Sequence, residues 1–108
     1  MNTPTTPSER TLTLSVSGDL LSTNVGSLRE SAAALLSETV DHHPEWNVLR
    51  LDLRTANMVD SAGLNFVVTL LKRVRARGSR LQIAYTSPNV NRTFIFTRLD
   101  QHIELVKV

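Results

Sequence analysis

Apolar and polar positions alternate from Thr11 to Ser17, with Leu12, Leu14 and Val16 on one side and mostly hydroxyl side chains on the other. That two-residue period predicts a half-exposed strand. Gly18 breaks the pattern, and Ser22 or Thr23 is suited to cap a helix on which Val25, Leu28, Ala32, Leu35 and Leu36 recur at spacings of three and four. The stretch Asp41 to Asn47, which holds His42, His43 and Pro44, reads as a connection to a second strand over Val48–Leu53. Residues 54–59 lead into a second helix, roughly Ser61 to Arg77, striped by Leu64, Val67, Val68, Leu71 and Val74, with Gly78 as its stop. Leu81, Ile83 and Tyr85 mark a third strand. Ser87 and Pro88 supply a hydroxyl cap and a proline at the first position of a short helix to about Arg98, and Ile103, Leu105 and Val106 form a last strand. Strands and helices in strict alternation imply parallel strands joined by right-handed crossovers. The expected fold class is therefore α/β: one domain over residues 11–108 with a mostly parallel central sheet and covering helices. Residues 1–10, rich in Thr, Pro and Ser, are expected to be a flexible tail.

Composition narrows the function classes. A chain of 108 residues can bury one core, and 41% apolar with 20% charged residues is ordinary globular usage. The formal charge is only +2, so no nucleic-acid partner is expected. Without cysteine there is no disulfide, thiolate metal site or thiol redox chemistry. The longest apolar stretch, Phe66 to Leu71, is interrupted by Thr69 and runs into Lys72 and Arg73, far short of a membrane span. The N-terminus lacks the basic start and apolar run of a signal peptide. A cytoplasmic location, no membrane insertion and no cofactor are the expectations.

The chemistry concentrates at Asp60-Ser61-Ala62-Gly63-Leu64, in the loop leaving a strand's carboxyl end, where open α/β sheets meet ligands and partners. Asp60 is placed to accept hydrogen bonds from the free amides of the first helical turn, and its charge suits the positive end of the helix dipole. Ser61 would open the helix. Ala62 and Gly63 are small, so the first turn is expected to leave the hydroxyl accessible and let another protein approach closely.

Together with Asn57-Met58-Val59 before it, the Leu51-Asp52-Leu53 strand, Gly18-Asp19-Leu20 after the first strand, and Ser87-Pro88 with Phe94 and Leu99, this stretch resembles the STAS domain of bacterial anti-sigma factor antagonists. The likeness covers about residues 10 to 106. No strand pattern precedes Thr11, and the chain stops at Val108 without the final helix many relatives possess. In that family the serine of Asp-Ser-x-Gly-Leu is phosphorylated by the anti-sigma factor, a protein kinase. The resemblance implies that Ser61 is the phosphorylation site and that the unmodified protein binds the kinase, releasing a sigma factor. Phosphorylation would end that binding, and a phosphoserine phosphatase would reset it. Asp19, Met58, Asp60, Ser61, Ala62, Gly63, Asn65 and Thr69 are the expected partner-binding residues. The phosphate is expected to be cradled by the helix amides, leaving the fold intact.

Other readings are weaker. A serine hydrolase with His42 or His43 as base lacks a Gly-x-Ser-x-Gly elbow and an evident third member, so no enzyme is expected. The two histidines alone do not make a metal site. Lys72, Arg73, Arg75, Arg77 and Arg80 read as a solvated basic face that complements the helix dipole. Trp46 reads as a loop anchor, and Phe66 stays open between core and interface. The main alternative function is an accessory subunit of an ABC transporter or of a larger signalling assembly.

Overall fold

The computed structural model of the protein describes residues 10–42 and 46–108, with side chains undescribed from 37 to 42. The predicted tail up to residue 9, together with His43 and Pro44, lies outside the described residues. Four strands alternate with three helices: β1 (Thr11–Ser15), α1 (Val25–His42), β2 (Val48–Leu53), α2 (Ser61–Ala76), β3 (Arg80–Tyr85), α3 (Pro88–Phe96) and β4 (Glu104–Lys107). A 3-10 turn, Leu99–Gln101, joins α3 to β4. All four strands are parallel and lie in chain order, β1-β2-β3-β4. The α/β reading therefore holds.

The differences from expectation sit at element ends. β1 stops at Ser15, although Val16 still donates to the Asp52 carbonyl (3.0 Å) and is buried. Neither Ser22 nor Thr23 starts α1. The Asn24 Oδ1 accepts from the Leu21 amide (2.9 Å), and this local turn delays the helix to Val25. At its other end α1 runs on through Asp41 and His42, which had read as connection. α2 ends one residue early, at Ala76. Gly78 adopts φ +78°, its amide donates to the Arg75 carbonyl and the Ser79 amide to that of Val74, the paired bonds of a Schellman stop. α3 ends at Phe96 rather than Arg98, because Arg98 takes a left-handed backbone (φ 63°) and the chain tightens into the 3-10 turn. Ile103 is buried just before β4 rather than inside it.

The core lies on one face of the sheet. Leu14 of β1, Leu49, Leu51 and Leu53 of β2, and Leu81 and Ile83 of β3 meet Val25, Ala32 and Leu36 of α1, the buried stripe of α2, and Val90 and Phe94 of α3. On α2 the buried positions are Gly63, Phe66, Val67, Leu70, Leu71 and Val74, while Leu64 and Val68 are half-buried. Phe66, 1% exposed, is a core residue. The opposite face carries a polar row in register across the sheet: Thr13 beside Arg50, Arg50 beside Gln82, Gln82 beside Glu104. Arg50 Nε donates to Gln82 Oε1, and Gln82 Nε2 donates to Glu104 Oε1 (3.0 Å). Next to it Asp52 accepts from the Nε, Nη2 and backbone amide of Arg54 (2.9–3.2 Å). The Arg54 guanidinium holds the Asp52 carboxyl below its ordinary range.

Candidate functional site at the start of α2

The carboxyl ends of β1, β2 and β3 are stitched together by short polar side chains. Gly18, at φ +77° where a side chain would be strained, turns the chain out of β1, and its amide donates to Thr55 Oγ1 (3.0 Å). Asp19 then reaches across, its Oδ1 accepting from the Asn57 and Met58 amides (2.7 and 3.1 Å). Leu20 pairs with Val59 as an isolated parallel bridge. From the third strand's end, the Ser87 hydroxyl donates to Asn57 Oδ1 (2.7 Å) while accepting from the Asn89 amide as the cap of α3.

Asp60 is the centre of this arrangement. It occupies the cap position of α2; its Oδ1 accepts from the Gly63 amide (2.8 Å) and its Oδ2 from the Ser22 amide (2.9 Å). Those bonds, first from Gly63 and then from Ser22, favour the ionised carboxylate and push its pKa down. The Asp60 amide donates to the Leu20 carbonyl (3.1 Å) and its carbonyl accepts from the Leu64 amide (2.8 Å). One residue thus joins two loops and a helix start.

Ser61 is the first residue of α2 and is exposed. Its hydroxyl makes no hydrogen bond among the described residues. Asn65 and Thr69 follow at one and two turns, both exposed, on the same helical face. Thr69 spends its hydroxyl on the Asn65 carbonyl (2.9 Å). Met58 is 56% exposed, and Asp19, Asp60 and Ala62 are half-buried.

Two expectations change here. Gly63 is buried: a Cβ on it would stand 2.5 Å from the Leu20 carbonyl oxygen and 3.0 Å from both Leu20 Cγ and Val59 Cγ1. Its smallness serves the seating of α2 against the β1–α1 loop rather than a partner's approach. The Gly63 amide is already taken by the Asp60 carboxylate and the Leu64 amide by the Asp60 backbone carbonyl, so the chain's own cap occupies part of the helix start expected to cradle a phosphate.

Chain topology separates Ser61 from His42. α1 descends from the carboxyl end of β1, so His42 closes it near the amino end of β2, at the far end of the sheet from Ser61. His43 lies outside the described residues. Among the described residues no cluster of potential metal ligands forms, and no helix is long and apolar enough to cross a membrane. The basic residues are spread along the other end of α2. Lys72, Arg73 and Arg75 are exposed, and Arg80 approaches Glu104 at 3.9 Å. Arg77 lies 3.8 Å over the Trp46 ring and donates to its carbonyl (3.1 Å). Trp46 is buried there as a loop anchor.

Sequence reading missed Ser22, Leu20 and Ser87 as parts of this site. Ser22 drew attention only as a helix cap, and its role through a backbone amide leaves no side-chain signature. Ser87 and Asn57 could have been paired, since both follow strands that end side by side.

A four-stranded parallel sheet with a serine-led helix at its carboxyl edge agrees with the comparison of the sequence with known families, in which the STAS domain matches over residues 2–108. The chain belongs to the STAS domain family. No curated protein matches it. Within this STAS domain the stretch from Asp60 to Leu64 holds the exposed serine, and the loops at Gly18–Ser22 and Asn57–Val59 surround it.

Proposed function

We infer that this STAS domain is an anti-sigma factor antagonist, which binds an anti-sigma factor kinase and is switched off by phosphorylation of Ser61. The observation that carries the reading is the state of the Ser61 hydroxyl: exposed, at the first position of α2, and uncommitted beside a carboxylate that is fully engaged. A kinase meets a hydroxyl it need not extract from a hydrogen bond, on an ordered backbone. The phosphorylated serine would carry about 1.5 to 2 negative charges at neutral pH. It would stand next to ionised Asp60, whose bonds to Gly63 and Ser22 leave those amides spoken for. The added charge therefore stays on the surface offered to the partner, where like-charge repulsion and desolvation oppose docking. A phosphoserine phosphatase returns the protein to its binding form.

Incubation with the purified kinase and ATP, followed by intact-mass measurement, should add one phosphoryl group to the wild type and none to Ser61→Ala. Ser61→Asp should bind the kinase at least about tenfold more weakly than wild type, as for loss of a central interface contact. Equal affinity of Ser61→Asp and wild type would refute the switch. Stable capture of a transporter ATPase without modification of Ser61 would replace it by the accessory-subunit role.

A further inference from the structure

α3 ends in Phe94-Ile95-Phe96, and only the first of the three faces the core: Phe94 is fully buried, whereas Phe96 is 87% exposed and Ile95 50%. Phe96 does not stand in isolation. With Leu64, Arg92, Thr93 and Thr97 it lines a groove of about 410 Å³ between α2 and α3. Thr93 and Thr97 donate their hydroxyls to the Asn89 and Thr93 carbonyls (2.9 and 2.8 Å), so the groove takes little polarity from them. Leu64 is three residues from Ser61, the spacing of neighbours on a helix surface; the groove opens one turn from the hydroxyl. Arg92 is its one charged residue, exposed and without a hydrogen bond or ion pair among the described residues.

We propose that this groove is the anchor site for the kinase partner, taking a bulky apolar side chain between Leu64 and Phe96 while Arg92 pairs with a carboxylate on the same partner segment. The inference rests on the phosphorylation-switch reading of Ser61 and adds the chemistry of its partner. An exposed aromatic beside a pocket is the usual form of an interface hot spot, with charged groups placed at its rim. The chain itself is a poor occupant. A two-fold contact of two copies through this patch offers Arg92 no carboxylate, since the groove's lining holds none, and residues 1–9 contain a single bulky apolar residue, Met1. A partner carrying an acid beside its apolar anchor meets both demands of the groove.

The test uses the full chain and the purified kinase that phosphorylates Ser61, with affinity measured for wild type, Phe96→Ser, Arg92→Glu and Ser61→Asp. Phe96 and Arg92 are exposed, so Phe96→Ser and Arg92→Glu should keep the wild-type thermal midpoint. Phe96→Ser should weaken binding at least about tenfold, and Arg92→Glu should weaken it and flatten its dependence on salt. Weak binding by Ser61→Asp together with wild-type affinity of Phe96→Ser overturns the groove and leaves the switch standing. Wild-type affinity of both overturns the two readings together. A wild-type dimer in sedimentation that Phe96→Ser dissociates overturns the proposal in favour of a second copy.

Discussion

Replacing Gly63 by alanine tests whether α2 is seated against the β1–α1 loop as closely as the structure has it. The new Cβ would lie 2.5 Å from the Leu20 carbonyl oxygen, where ordinary contact begins near 3.4 Å. The gap must open by roughly 0.9 Å, and the obstacle is backbone rather than the end of a flexible side chain. The same oxygen accepts from the Asp60 amide, so any retreat loosens the cap. Overpacking of this kind costs about 1–3 kcal/mol, and alanine's better helix propensity returns at most about 1 kcal/mol. The net expectation is a loss of about 1–2 kcal/mol, or a thermal midpoint lower by roughly 5–15 °C for a domain of this size. Urea unfolding followed by the fluorescence of Trp46, the sole tryptophan, gives the free energy, with the denaturant slope unchanged if both states keep their surface. Gly26→Ala is the control: nothing lies within 4 Å of its added Cβ, and it should stabilise α1 by up to about 1 kcal/mol. A Gly63→Ala protein as stable as wild type would show that the close seating is wrong.

Acid should reveal the two engaged carboxylates. Asp52 and Asp60 both titrate below their ordinary range in the folded state, so their stabilisation is present at neutral pH, begins to fade near the unfolded value of about 4, and is lost as pH falls through the folded values. Asp52→Asn with Asp60→Asn should flatten this acid limb of the stability curve, and an unchanged limb would contradict the assignment. At the opposite end of α2, Arg77→Ala removes the cation over the Trp46 ring and a bond to its carbonyl. The expected loss is about 1–2 kcal/mol with a shift in Trp46 emission; unaltered emission and midpoint would speak against the stacked pair.

The fold was legible where one residue pattern decides an element. Leu49, Leu51 and Leu53 alternate because β2 packs helices on one side, and Ser87-Pro88 starts α3 by local capping alone. Asp60 and Ser61 were legible for the same reason, since a carboxylate cap acts within one turn. What escaped depends on residues distant in the chain. Gly63 is glycine because of Leu20, and the Ser22 amide belongs to Asp60, 38 residues away. The left-handed Arg98 and the 3-10 turn after it carry no glycine or proline to announce them. The groove beside Phe96 was invisible because a helical wheel of α3 places Phe96 but says nothing about Leu64 across from it.

The row Arg50–Gln82–Glu104 has a consequence for how the sheet finds its alignment. Sliding one strand by a single residue would turn its leucines to the wrong face, but a slide of two leaves the inside-outside pattern untouched. Hydrophobic burial is nearly blind to that error. The polar row is not, because a two-residue slip sets Arg50 against Arg80, a like charge, or against Ala84, which has no acceptor side chain, and sets Gln82 against Val106. Such a slip would also carry the end of β2 by about 6.6 Å, pulling Asn57 and Asp60 away from Asp19, Ser22 and Ser87. The face of the sheet opposite the core thus acts as a vernier, fixing where Ser61 stands.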